Sequence, residues 1–165
     1  MGRSGTAGVN IEQLARELGT TKGSFYHHFD SRQALLEAAL LRWGQIVADD
    51  IESTSHIDDP RDRLIAMSVV GIGTALDGSV DLALAASVND HKVAATIDSI
   101  NQHRLESVTG ILERTGMERQ VARDRAVLGL AAYLGVFLLQ QTEGTRMPAD
   151  HVRSLIDQAI DSMLD

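Results

Sequence analysis

NIEQLARELGTTKGSFYHHF, residues 10–29, is the stretch that decides the fold. Asn10 is a residue type that caps helix N-termini, and apolar residues follow it at helical spacing. Gly19 interrupts this pattern with a residue that adopts a positive φ at little cost. The stretch therefore predicts two short helices, over about 11–18 and 21–29, joined by a tight turn.

The two short helices have apolar faces that can meet. Leu14, Ala15 and Leu18 lie on the first helix, and Phe25 and Phe29 lie on the second. Ala15 is small enough to let the two backbones cross closely. Two short helices crossed in this way form a helix-turn-helix, whose second helix enters the major groove of DNA.

Polar, aromatic and small residues remain for the outer surface of the second helix. Those near its N-terminus can reach phosphates or base edges, assisted by the positive end of the helix dipole. An arginine in the next helix is placed to hold a phosphate. The candidate DNA-binding residues are Lys22, Gly23, Ser24, Tyr26, His27, His28 and Arg32.

The longer stretch GTTKGSFYHHFDSRQALL, residues 19–36, resembles the tetracycline-repressor (TetR) family of transcriptional regulators. In that family a lysine-glycine-serine step and an aromatic pair precede histidine-phenylalanine, and the likeness spans about residues 8–40. The resemblance implies base and backbone contacts for Lys22, Ser24, Tyr26 and His27. It implies phosphate contacts for Tyr26, His28 and Arg32.

The resemblance also implies an architecture and a function. We expect an all-α chain with a helix-turn-helix region at 1–32 and a helical ligand-binding and dimerisation domain at 33–165. The last two long helices, about 118–141 and 149–164, would form a four-helix bundle with a second copy. The implied function is that of a repressor that binds a palindromic double-stranded DNA operator as a homodimer and is released by a small apolar effector.

One departure from the family concerns its first helix. The family places a helix ahead of the segment that matches Asn10, whereas only Met1 to Gly8 precede that segment here. Without that cover, we expect exposed apolar side chains among Ile11, Leu14, Phe25 and Phe29. We therefore predict that the 165-residue chain binds DNA weakly or not at all.

Composition and charge limit the other possibilities. The chain is 44% apolar and 23% charged, and without cysteine it has neither disulfides nor thiolate metal sites. The longest uncharged apolar run, 126–139, is shorter than the roughly 20 residues of a membrane-spanning helix, so we expect a soluble, cytoplasmic protein. Residues 1–28 carry a net charge of +1 and residues 29–165 a net charge of −9, which confines any DNA contact to the N-terminal end.

Apolar residues recur at spacings of three and four along the whole chain, which predicts eight helices and no strands. After the first two, helices are predicted from Asp30 or Ser31, from Pro60 to Gly78, from Ser79 to Val88, from Asp90, over about 118–141 and after Pro148, with a loop over 52–59. Residues 126–139 are apolar almost all round, so this segment must be buried on more than one side. Together with the apolar stripe of the last helix, it favours a two-fold interface.

Small residues in the middle helices indicate room for a ligand. We expect an apolar effector site, and effector binding would shift the dimer towards a state whose recognition helices are wrongly spaced for DNA. The candidate lining residues are Trp43, Met67, Val70, Leu84 and Ile100.

Three other interpretations compete with this one. An enzyme is disfavoured because no phosphate loop, paired-carboxylate motif or nucleophile elbow occurs. A metal site at His27 and His28 is disfavoured because adjacent helical positions point about 100° apart, and we predict no metal or other cofactor. A dimeric ligand-binding module of the same lineage, which no longer binds DNA, remains the main alternative.

Overall fold

The computed structural model describes residues 10–74, 91–140 and 143–165, and these ranges are helical and contain no strand. The prediction of an all-α fold is confirmed over these residues. None of their helices combines the length and apolar character needed to span a bilayer. The α-helices are α1 (Ile11–Glu17), α2 (Lys22–His28), α3 (Arg32–Ser53), α4 (Pro60–Thr74), α5 (His91–Glu113), α6 (Arg119–Leu139) and α7 (Ala149–Leu164), with a 3₁₀ turn at Glu143–Thr145. The helix predicted over 79–88 lies outside the described residues.

Local capping sets the ends of the first three helices. The Asn10 side chain accepts hydrogen bonds from the backbone N–H groups of Glu12 and Gln13, at 2.9 and 3.2 Å. Thr21 and Ser31 cap α2 and α3 in the same way. These contacts satisfy N–H groups that have no partner within a helix, so they fix where each helix begins.

The loop after α3 is shorter than predicted. Residues 52 and 53 belong to α3, and the loop begins at Thr54. The Thr54 side chain is 2% exposed, and its hydroxyl donates to the Ile51 carbonyl at 2.8 Å. This contact satisfies a carbonyl at the helix end, so the polar sequence there continues the helix for another half turn.

The main core joins the last four helices. The sequence predicts an apolar stripe on α7 made of Val152, Leu155, Ile156, Ala159, Ile160 and Met163. Val152, Ile156, Ile160 and Met163 are each at most 9% exposed, whereas Leu155 and Ala159 are half-buried. The four buried residues pack with Leu64 of α4, Ile111 and Leu112 of α5, and Ala122 of α6. Burial of a side chain of this size contributes about 1.5–3 kcal/mol, so this stripe is what holds α7 to the bundle.

The outer surface of α6 remains apolar and exposed within one chain. Ala122 and Ala126 are fully buried, whereas Leu128 is 70% and Leu138 is 57% exposed. Val127 and Leu139, both 46% exposed, extend this surface. A single chain therefore buries only one side of a segment that is apolar almost all round.

Candidate DNA-reading helix and cavity

Aromatic packing fixes the orientation of α2. Phe25 is 8% exposed, and its ring centroid lies 5.0 Å from that of Tyr26 and 5.6 Å from that of Phe29. The turn before α2 contains Gly19 at φ +63°, as the sequence predicts. The buried Phe25 turns the opposite side of α2 towards solvent.

The candidate DNA-binding residues lie mainly on that solvent side. Tyr26 is 51% exposed, and Ser24 and Arg32 are half-buried. Exposed with Tyr26 are Lys22, Gly23, His27 and His28. The structure thus brings lysine, aromatic and imidazole groups to one accessible helix surface.

The apolar exposure expected around the helix-turn-helix falls on a different residue. Phe25 is buried, and Ile11, Leu14 and Phe29 are half-buried. Leu18, at the C-terminal end of α1, is 70% exposed. Phe25 is thus covered, whereas Leu18, which was expected to meet Phe25 and Phe29, is the apolar residue left exposed.

An ion pair links the two helices and was not predicted from the sequence. The Lys22 ammonium donates to the Glu12 carboxylate at 2.8 Å, and both side chains are more than half exposed. This hydrogen bond lowers the pKa of the Glu12 carboxyl and raises the pKa of the Lys22 ammonium. Lys22, one of the candidate DNA-binding residues, is therefore held by the Glu12 carboxylate when no DNA is bound.

A cavity of about 450 Å³ lies between the helices of the bundle. Its volume is within the range typical of small-molecule sites, about 300–1,000 Å³. Five helices line it: Ala39, Arg42, Trp43, Ile46, Val47, Asp50 and Ile51 of α3; Leu64, Met67, Ser68 and Gly71 of α4; Arg104, Leu105 and Val108 of α5; Ala126, Gly129, Leu130, Ala132, Tyr133 and Val136 of α6; and Leu155, Ile156, Ala159, Ile160 and Met163 of α7.

The cavity contains part of the predicted effector site. Trp43 and Met67 line it, whereas Val70 and Ile100 do not. Val70 sits about 100° around α4 from the lining residue Gly71, and Ile100 is 6% exposed in the core against Gly44 of α3. Leu84 lies outside the described residues.

Polar lining residues were missed at the sequence level. The guanidinium carbon of Arg104 lies 5.2 Å from the centroid of the Trp43 ring, a cation–π distance. Arg104 follows Trp43 by more than sixty positions, so no local sequence pattern predicts the contact between them. The cavity wall therefore holds charged groups in addition to the apolar residues predicted for it.

The Tyr133 side chain of α6 reaches Gly71 of α4 beside the cavity. A Cβ placed on Gly71 would lie 2.9 Å from the Tyr133 hydroxyl oxygen. Such a distance is shorter than normal packing allows, so the absence of a side chain at position 71 creates the room for the phenol.

Comparison with known proteins identifies the N-terminal region. Residues 1–39 match the family model for bacterial regulatory proteins of the tetR family. This is a TetR-type DNA-binding region. The matched residues contain both α1 and α2, so the TetR assignment rests on the segment that carries the candidate DNA contacts.

Solved structures extend the TetR likeness to the fold of the whole chain. A TetR transcriptional regulator from Legionella pneumophila has a TM-score of 0.82 at 16% identity, covering 95% of this chain and 89% of that one. A transcriptional regulator from Rhodococcus sp. has a TM-score of 0.83 at 20% identity, and the match covers 99% of this chain and 89% of that one. Reduced E. coli NemR has a TM-score of 0.66 at 20% identity, and the match covers 95% of this chain and 89% of that one. The chain thus has a TetR-like fold with an N-terminal region that matches the tetR family model, although a comparison with curated protein sequences gives no match.

Proposed function

We propose that this chain is a dimeric repressor that reads a palindromic operator with α2 and releases it when a small, largely apolar effector occupies the cavity. The helix-turn-helix region is assigned to residues 1–32 and the effector and dimerisation domain to residues 33–165. Such a regulator would act in the cytoplasm, where its DNA lies.

The observation that carries the proposal is the surface of α2. Phe25 anchors the helix, while Lys22, Tyr26 and His27 are exposed together on it. These groups can donate to phosphates or base edges in a major groove. On binding, the Lys22 ammonium would exchange the Glu12 carboxylate for a phosphate.

The exposed apolar surface of α6 supports a homodimer. Leu128 and Leu138 are each more than half exposed, and a large uncovered apolar patch is typical of an interaction site. We assign the interface to about 118–141 and 149–164, with a second copy as partner. Two-fold pairing would set the two α2 helices about one DNA turn, roughly 34 Å, apart.

The cavity supplies a means of release. It lies between α3, which leads directly from the helix-turn-helix, and α6, whose outer surface is the proposed interface. An effector that fits only one arrangement of these helices would shift the dimer towards the arrangement it binds. A change in the spacing of the two α2 helices then lowers operator affinity.

Selection from random double-stranded DNA tests the proposal. Even with the weak binding expected from the sequence, the chain should enrich a palindromic sequence at low salt. Fluorescence anisotropy should then show that Lys22→Met weakens binding further and reduces the salt slope by about one. Arg114→Met, which replaces an exposed arginine just after α5 and outside both proposed interface segments, serves as the control and should bind like the parent chain. Absence of any enriched sequence would overturn the proposal.

The second candidate is a dimeric ligand-binding module that does not bind DNA. The exposure of Leu18, 70%, favours it, because an uncovered leucine weakens a small helix-turn-helix. The two candidates differ in one result: the module would bind a cavity ligand and dimerise, yet enrich no DNA sequence.

A further inference from the structure

The cavity has two unlike walls. Its α7 wall contains only apolar residues, ending in Ile160 and Met163. Among the residues that the structure describes, the charged ones that line the cavity lie on α3 and α5, namely Arg42, Asp50 and Arg104. A ligand that fills the cavity would therefore meet hydrocarbon on one side and charge on the other.

The charged wall is net positive. Two arginines and one aspartate face a cavity in a chain whose total charge is −8. The sign of the cavity wall is thus opposite to that of the molecule. Charge in a partly enclosed, apolar site acts more strongly than the same charge in open solvent. The excess positive charge on this wall therefore favours a ligand that carries a negative charge.

Arg104 is held in a position to recognise an anion. Its guanidinium stacks on the Trp43 ring at 5.2 Å, and it has further contacts. A guanidinium carries five N–H donors directed in its own plane, so stacking leaves the donor edge usable, and one partner does not exhaust it. Its flat fork matches the geometry of a carboxylate.

We propose that the effector is an amphipathic monoanion whose apolar body lies against α6 and α7 and whose carboxylate, or a similar group, is bound by Arg104 with Arg42. This inference rests on the proposed effector role of the cavity and adds the chemical class of the ligand. A neutral analogue loses the ion pair, and a cationic analogue also meets repulsion from two arginines.

Three probes with the same alkyl chain length test the inference on the 165-residue chain. The dissociation constants of decanoate, decan-1-ol and decyltrimethylammonium are measured by calorimetry, with the two ionic probes below their micelle concentrations and decan-1-ol below its solubility limit. Decanoate should bind about tenfold or more tightly than decan-1-ol, with the cation weakest, as expected for a charge-assisted pair. Equal affinity for decan-1-ol or the cation would overturn the inference while leaving an effector cavity in place.

Variants assign the effect to the arginines. Arg104→Met should weaken decanoate about tenfold but leave decan-1-ol unchanged, a difference that a purely structural role would not produce. Arg42→Met, at an exposed position, tests the same charge with little risk to folding, and Arg114→Met, just after α5 and away from the cavity, is the matched control. Unchanged decanoate affinity in both cavity variants would overturn the inference, and absence of binding by all three probes would overturn the effector role as well.

Discussion

The Lys22 ammonium lies 2.8 Å from the Glu12 carboxylate, so the helix proposed to read DNA is tied to its neighbouring helix by the group that would contact a phosphate. Each partner stabilises the charged form of the other, as the lowered pKa of Glu12 and the raised pKa of Lys22 indicate. DNA and Glu12 therefore compete for the same cation.

Removing that competitor should strengthen DNA binding. Glu12→Gln frees Lys22 and removes a negative charge next to the phosphates, and we expect an increase of about threefold in affinity at low salt. Glu17→Gln, an exposed carboxylate on the same helix, is the matched control for the general loss of charge. Anisotropy titrations over a range of salt concentrations compare them; an equal gain in both variants would show that the Lys22 contact is irrelevant.

The close approach of Gly71 to Tyr133 should appear as an energetic coupling. Gly71→Ala should destabilise the chain by about 1–3 kcal/mol, because the new Cβ would lie 2.9 Å from the phenol oxygen. Tyr133→Phe removes that oxygen, so the same glycine substitution should cost about 1 kcal/mol less in the phenylalanine background. Urea unfolding of the parent chain, the two single variants and the double variant, all at one protein concentration, measures this double-mutant cycle. Additive effects would contradict the contact between Gly71 and Tyr133.

A second glycine makes room for a methionine in the core. A Cβ on Gly129 would meet the Met163 side chain, with Met163 Cε only 2.9 Å away. Gly129→Ala should therefore destabilise the chain by about 1–3 kcal/mol despite the better helix propensity of alanine. Gly110→Ala on α5, where nothing lies within 4 Å of the new Cβ, should instead stabilise by up to about 1 kcal/mol. The same sign for both substitutions in urea unfolding would be evidence against this contact.

The exposed surface of α6 should govern oligomeric state. Leu128→Glu places a charge in the centre of the proposed interface and should convert the dimer to a monomer, because an unpaired buried charge is too costly. Leu41→Glu on α3 is a matched control, since Leu41 is 72% and Leu128 is 70% exposed. Sedimentation equilibrium measures both masses. A dimer that survives Leu128→Glu unchanged would place the interface elsewhere.

Local features of this chain were predicted well from its residues. Asn10 was assigned as a cap and Gly19 as a turn, and the structure confirms both; of the two candidates Asp30 and Ser31 for the next cap, the structure has Ser31. Such features depend on hydrogen bonds and φ preferences within about four residues, which the sequence contains in full. The apolar stripe of α7 was predicted for a similar reason, because helical spacing alone decides which residues share a face.

The site was only partly predictable. Trp43 and Met67 were assigned to the cavity, and both line it, but Arg104 was not foreseen. The sequence by itself determined the helices, their caps and the composition of α2. Only the tertiary structure decided that Lys22 meets Glu12 and that Arg104 stacks on Trp43, because these contacts depend on how far each helix rotates and at what angle it crosses its neighbour.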